Sequence, residues 1–167
     1  MITAISPFLA EDAEDQAIAH ALSILHSRLR TRPVFSSADA VKTFLRLQSQ
    51  GLAHEVFAVM YLDAQSRLIE YERLFRGTLT HTVVYPREVV RQALAMNAAA
   101  VILHHNHPSS SCRPSRADRA LTRRLVAALA LVDVRVLDHV ITCDAGAFSM
   151  AQRRVLAQGA AGPVAAS

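Results

Sequence analysis

A chain of 167 residues, 51% of them hydrophobic, is long enough to bury a core of its own and has the length of one domain with at most a small appendage. Two cysteines are too few for a disulfide framework, Met1–Ala10 does not read as a secretory leader, and no apolar run reaches the length of a membrane span, which together point to a reducing cytoplasm. The net charge of +4 rests almost wholly on arginine, Lys42 being the only lysine; this balance is compatible with nucleic acid or an acidic partner and requires neither.

Taken in order, residues 1–10 read as irregular around Pro7. The run Glu11-Asp12-Ala13-Glu14-Asp15 then opens a helix with acids in its first turn, and Ile18, Leu22, Leu25 and Leu29 keep helical spacing to about Arg30. Thr31-Arg32-Pro33 stops it. Ser36-Ser37 caps a second helix carrying Val41, Phe44, Leu45 and Leu47, and Gln50-Gly51 ends it. Glu55 to Leu62 is a near-continuous apolar run, the signature of a central strand buried on both faces. A turn at Asp63–Ser66 leads to a second strand over Arg67–Phe75, so the pair predicts a hairpin. Gly77 breaks it, and Leu79–Val84 predicts a short third strand. Pro86 fits the first position of a helix running to Asn97. A buried strand over 98–104, a polar loop and a helix over 117–132 follow. A further strand over 134–142, a turn at Asp144–Gly146, a short strand at 147–149 and a final helix over 150–158 complete the order, before a small polar tail from Gly159. Helices alternating with strands after an initial hairpin predict a two- or three-layer α/β sandwich around a mixed sheet.

The chemistry concentrates between the strand at 98–104 and the helix at 117–132. The stretch reads His104-His105-Asn106-His107-Pro108-Ser109-Ser110-Ser111-Cys112-Arg113-Pro114-Ser115-Arg116-Ala117-Asp118. If the backbone at 105–107 is extended, His105 and His107 project to the same side, because side chains alternate with period two. His104 then points away and is expected to be structural. Imidazole and carboxylate are usual ligands of Zn²⁺, and three protein ligands plus water make the catalytic pattern. On a helical wheel Ala117, Leu121, Leu125, Ala128, Leu129 and Val132 share one face and Arg116, Arg119 and Arg123 the opposite one, read as a solvated ridge. Asp118 falls within the apolar face, where a carboxylate needs a partner. Serving the helix N-terminus is the alternative for it.

A hydrolase built on such a site needs a proton shuttle. Glu55 stands out among Glu55, Glu70, Glu72 and Glu88, because it opens the most apolar strand; Glu70 and Glu72 lie on a half-polar strand and read as solvated. Ser115 could stabilise an oxyanion or act as the helix N-cap. Asp138-His139 could orient a ligand, against the commoner reading of a satisfied core histidine. Cys112 reads as a loop thiol that is not a ligand.

His105-x-His107, seven residues, Ser115, two residues and Asp118, with Glu55 upstream, resembles the JAMM motif of the JAB/MPN metalloproteases. Glu55-x-Phe57, Gly77-Thr78-Leu79, Pro86-Arg87-Glu88, Asn97-Ala98, His104 to Ser109, Pro114-Ser115 and Asp138-His139 resemble the RadC-like branch of that family, over roughly residues 20–155. The resemblance implies a cytidine-deaminase-like α/β sandwich, its mixed central sheet flanked by helices. It implies Zn²⁺ held by His105, His107 and Asp118, Glu55 as general acid/base, Ser115 assisting the intermediate, and hydrolysis of a peptide or isopeptide bond in an unidentified peptide or protein. On this reading residues 1–50 form a helical segment, 51–158 the RadC-like domain and 159–167 a tail. Ser110, Ser111 and Cys112 stand where the family has Gly, Asp and Pro. The helix-hairpin-helix region of full-length RadC-like proteins finds no counterpart in the fifty or so residues before Glu55, so DNA binding is not carried over. A non-catalytic or DNA-associated accessory protein that keeps the fold is the competing expectation. Metal nuclease and zinc deaminase fit less well: His-Asn-His is contiguous here, and neither His-x-Glu nor Pro-Cys-x-x-Cys is present.

Overall fold

The structure, a computed structural model, describes residues 7–31, 38–78, 82–109 and 111–156. Helices α1 (Pro7–Thr31) and α2 (Ala38–Ser49) precede the strands β1 (Val56–Leu62) and β2 (Leu68–Arg76). Then come α3 (Pro86–Ala95), β3 (Ala100–Asn106), α4 (Arg116–Ala130), β4 (Arg135–Cys143) and β5 (Gly146–Ser149).

The five strands make one mixed sheet in the order β2-β1-β3-β4-β5. Only β3 and β4 run parallel, and α4 is the crossover that this pairing needs. All seven residues of β1 and all seven of β3 are buried, as expected of strands covered on both faces. Met60, Leu62 and Ile102 face Val41, Phe44 and Leu45 of α2, with Leu22 and Leu25 of α1 packed behind. Phe57, Val59, Val101 and Leu103 face Val89 and Ala93 of α3 and Leu125 and Leu129 of α4. The sheet is therefore the middle of three layers, in agreement with the sandwich read from the sequence. No helix among the described residues is long and apolar enough to cross a membrane.

Several boundaries differ from the sequence reading. The first helix starts at Pro7, not Glu11, because proline's fixed φ suits a helix's first position; the acids fall after the first turn. The proposed cap Ser36-Ser37 lies outside the described residues. In the expected third strand, Thr82–Val84 form no strand, while residues 79–81 lie outside the described set. The strand expected at 98–104 is displaced to Ala100–Asn106, since His104, His105 and Asn106 all find partners inside the sheet. No helix forms over 150–156; turns replace it, with the amides of Val155 and Leu156 both directed at the Met150 carbonyl. Residues 157–167 lie outside the described set. On α4 the buried stripe is Thr122, Leu125 and Leu129, and Ala117 is exposed instead of buried.

Candidate metal centre

The site sits at the C-terminal end of the parallel pair β3/β4 and at the N-terminus of α4, the place where open α/β sheets usually offer a crevice. His105 lies within β3, and the amide of His107 still donates to the Thr142 carbonyl at 2.8 Å, so extended backbone carries through both histidines. Their rings consequently face one side, with centroids 4.8 Å apart. Ser115 is the N-cap of α4, and Asp118 closes a capping box with it. The Ser115 Oγ accepts from the Asp118 amide at 3.1 Å, and Asp118 Oδ2 accepts from the Ser115 amide at 2.6 Å. The box aims the carboxylate at the histidines: Oδ1 is 3.3 Å from His105 Nε2 and Oδ2 is 3.5 Å from His107 Nε2. One ligand atom from each of His105, His107 and Asp118 lies within 4.8 Å of the others, a group that could hold a metal ion. The two readings of Asp118 were alternatives in the sequence; in the structure the side chain closes the capping box and also faces both histidines.

The donor chemistry fits a cation. His107 Nδ1 lies 2.8 Å from the Ser111 carbonyl, which can only accept, so that nitrogen carries the proton and Nε2 keeps its lone pair. His105 Nε2 lies 2.9 Å from it, with the carboxylate beside both. Lone pairs converging with a carboxylate need a positive centre between them, and a divalent ion meets that need. Without one, protons take its place. Its contact with Asp118 raises the His107 pKa against the opposing effect of burial. Burial would raise the Asp118 pKa, yet hydrogen bonds from His105, His107 and Ser115 hold it well below the usual carboxylate range.

Glu55 precedes β1 and is half-buried, not sealed into the strand as the apolar run suggested. Its amide donates to the Thr78 carbonyl and its carbonyl accepts from the Gly77 amide, extending the hairpin by one rung, and Oε2 accepts from Thr82 at 3.3 Å. It lines a cavity of about 640 Å³ together with His107, Ser115 and Asp118, closed by Thr82–Val84 and by Ala117, Ala120 and Leu121 of α4. A second cavity, of about 790 Å³, lies beyond His107 and Pro108 against the end of α2. The other glutamates are elsewhere. Glu70 accepts from the Tyr71 amide and, like Glu72, is partly buried rather than solvated, while Glu88 pairs with Arg91 on α3.

Asn106, which the sequence reading passed over, pins this arrangement. Its side chain accepts from the Val56 amide at 2.8 Å and donates to the His54 carbonyl at 3.0 Å. Both bonds tie the segment bearing Glu55 to the strand bearing His105. His104 points to the α2 face, as expected, between Tyr71 Oη at 3.1 Å and Thr142 Oγ1 at 2.9 Å. Burial there lowers its pKa to about 3, and the neighbouring His105 adds to the effect.

The pair Asp138-His139 divides. Asp138 accepts from the Ala151 amide and from Ser149, holding β5 and the turn after it. His139 is fully buried and contacts His105, Nε2 to Nδ1, at 2.8 Å. Burial, then the nearby His105, puts its pKa well below the ordinary range. Its other nitrogen is 2.6 Å from Thr122 Oγ1, a residue that only its polarity on an apolar stripe could have flagged. Cys112 is not a free loop thiol. It is disulfide-bonded to Cys143 at the end of β4, clamping the loop between His107 and Asp118 to the sheet.

Comparison with known proteins gives the chain's family. A family model described as the RadC-like JAB domain matches residues 35–155. The chain is 57% identical over 148 residues to a UPF0758 protein of Leptothrix cholodnii, covering 88% of this chain and 67% of the relative. It is 60% identical over 132 residues to a UPF0758 protein of Methylibium petroleiphilum (79% and 60% covered) and 59% identical over 145 residues to one of an Acidovorax species (86% and 61% covered). The chain thus spans about three fifths to two thirds of these relatives' length, and their shared name states no activity.

Proposed function

As the chain belongs to the RadC-like JAB family, we propose that it is a zinc-dependent peptidase that hydrolyses a peptide or isopeptide bond. The observation that carries this reading is that His107, Asp118, Glu55 and Ser115 line one cavity, with the buried His105 converging on His107 and Asp118 behind its wall. Zinc held by the three ligands would supply Lewis acidity and bring the pKa of water to about 7.

The chain's own residues divide the remaining work. Glu55 takes a proton from the attacking water and returns it to the leaving amine. Its half-exposed position keeps the carboxylate in reach of the cavity, and the Thr82 hydroxyl steadies it. The Oγ of Ser115 accepts from the Asp118 amide, which leaves the hydroxyl proton to donate to a developing oxyanion. The substrate would lie between Thr82–Val84 and the Ala117, Ala120, Leu121 face of α4. Replacing Glu55 by Gln is expected to retain zinc and to lower hydrolysis of a peptide or isopeptide substrate by about 10²- to 10⁴-fold, the usual share of a general base. Full activity in that variant would remove Glu55 from the reaction.

A second reading, a DNA-associated accessory protein, is favoured by one feature. Arg116, Arg119 and Arg123 are exposed on α4 beside the site. Binding to duplex DNA that persists near physiological salt and weakens steeply as salt rises would support it. Indifference to DNA together with cleavage of a peptide bond would exclude it.

A further inference from the structure

We infer that Thr122 and His139 form a buried relay whose task is to fix which nitrogen of His105 carries the proton, so that Nε2 is kept free for the metal. The inference rests on the metal reading of the site, and it deepens that reading without using the hydrolytic step.

The relay is forced by donors and acceptors. Thr122 Oγ1 lies 2.6 Å from the backbone carbonyl oxygen of Asp118, one turn earlier on α4. A carbonyl cannot donate, so the single hydroxyl proton lies in that contact. The Met150 sulfur, 3.7 Å from the same oxygen, is the weaker acceptor. Thr122 Oγ1 can then only accept from His139 Nδ1 at 2.6 Å, and that nitrogen bears the ring proton. His139 is fully buried, with Phe57 packed edge-on at 5.8 Å between centroids, and its ring nitrogens meet His105 and Thr122, neither of them a carboxylate. A neutral ring protonated at Nδ1 offers a lone pair at Nε2. That lone pair faces His105 Nδ1 at 2.8 Å, so His105 must donate there. The proton of His105 is thereby held on Nδ1, and Nε2 turns its lone pair toward Asp118 Oδ1 and His107.

The relay starts at the carbonyl of Asp118 and ends beside the carboxylate of the same residue. His107 reaches the same state by a shorter route, through the Ser111 carbonyl. Each ligand histidine is thus set by one backbone carbonyl. For His105 the control passes through two side chains, Thr122 and His139, that are buried in the layer beneath the site.

The test reads the tautomer directly. In the full chain labelled with ¹⁵N-histidine, stripped of metal and held at a pH at which every ring is neutral, so that no added proton stands in for the metal, long-range ¹H–¹⁵N correlation distinguishes protonated from unprotonated ring nitrogens. The expected wild-type spectrum assigns the proton of His105 and of His139 to Nδ1. Thr122→Val keeps the shape and removes the oxygen. Its His139 loses the acceptor at Nδ1, the proton moves to Nε2, and His105 is driven to protonation at Nε2. Zinc affinity, measured by competition with a chromophoric chelator, is expected to fall about 10- to 100-fold, the usual loss on removing such support. Thr122→Ser is expected to restore both readings. Protonation of His105 at Nε2 in the wild type would overturn the relay without any variant. So would a Thr122→Val protein with unchanged tautomer and unchanged zinc affinity. A wild type that shows the expected tautomer and binds zinc but cleaves no peptide bond would retire the peptidase reading and leave the relay standing.

Discussion

At the scale of single residues, Asp118 carries two duties, and they can be separated. Its carboxylate holds the N-terminus of α4 through the capping box and also faces the two histidines. Replacing Ser115 by Ala removes the cap hydroxyl and leaves the three ligand side chains in place. We expect it to cost about 1 kcal/mol of stability, read from the urea midpoint, with zinc content unchanged. Asp118→Ala is expected to cost a similar amount of stability and also to lose the metal. Unaltered zinc content in Asp118→Ala would remove it from the ligand set. His105, His107 and Asp118 were legible in the sequence because their geometry follows from local rules: period two along a strand and the first turn of a capped helix. Asn106 and Thr122 were not legible in the same way. Their partners, His54 and His139, are 52 and 17 residues away, and only the sheet register and the packing of α4 bring them together.

At the scale of elements, the site is the meeting point of a strand end, a helix start and the loop between them. The sequence identified that strand–loop–helix unit, and the alternation of the strand histidines sent His104 and His105 to opposite faces as expected. It placed the strand two residues early, because two adjacent histidines and an asparagine look like loop by composition. In the fold each is satisfied: His104 by Tyr71 and Thr142, His105 by His139, and Asn106 by the backbone at 54–56. The bond between Cys112 and Cys143 could not be read from two cysteines 31 residues apart, since pairing depends on where the loop folds. Closing a loop of that length stabilises a chain by about 3–4 kcal/mol in the chain-entropy treatment. Reduction by excess dithiol is therefore expected to lower the urea midpoint, and Cys112→Ser to lower it equally, with no further effect of dithiol on that variant. A midpoint indifferent to dithiol would show that the pair is not bonded in solution.

At the scale of the whole molecule, the buried histidines make stability depend on pH. His104 and His139 have folded pKa values below their ordinary 6.5, so each favours the folded state when neutral. That stability is present above pH 6.5 and is lost as pH falls toward the folded values, about 3 for His104. His107 has the opposite sign: its pKa is raised, so its contribution is complete below 6.5 and is lost only as pH rises through the folded value. Asp118, held below its ordinary 3.8, loses its contribution only at lower pH still. The metal-free chain is therefore expected to lose stability steadily from pH 6.5 to 4 in urea titrations. A flat or rising midpoint across that window would contradict the account of the buried rings. A mixed sheet flanked by helices was readable from the order of hydrophobic patterns, which left two layers and three both open. The turns replacing the last helix were not, because Met150 to Leu156 keeps some helical spacing while its amides fold back on Met150.

Whether His105, His107 and Asp118 together hold a metal ion is read most directly by elemental mass spectrometry. The wild type and His107→Ala would be purified without added metal and then incubated with zinc and desalted. Close to one zinc per chain in the wild type, with little or none in His107→Ala, is the expected result. No retained metal in either protein after zinc is supplied would contradict the metal centre and the peptidase chemistry built on it.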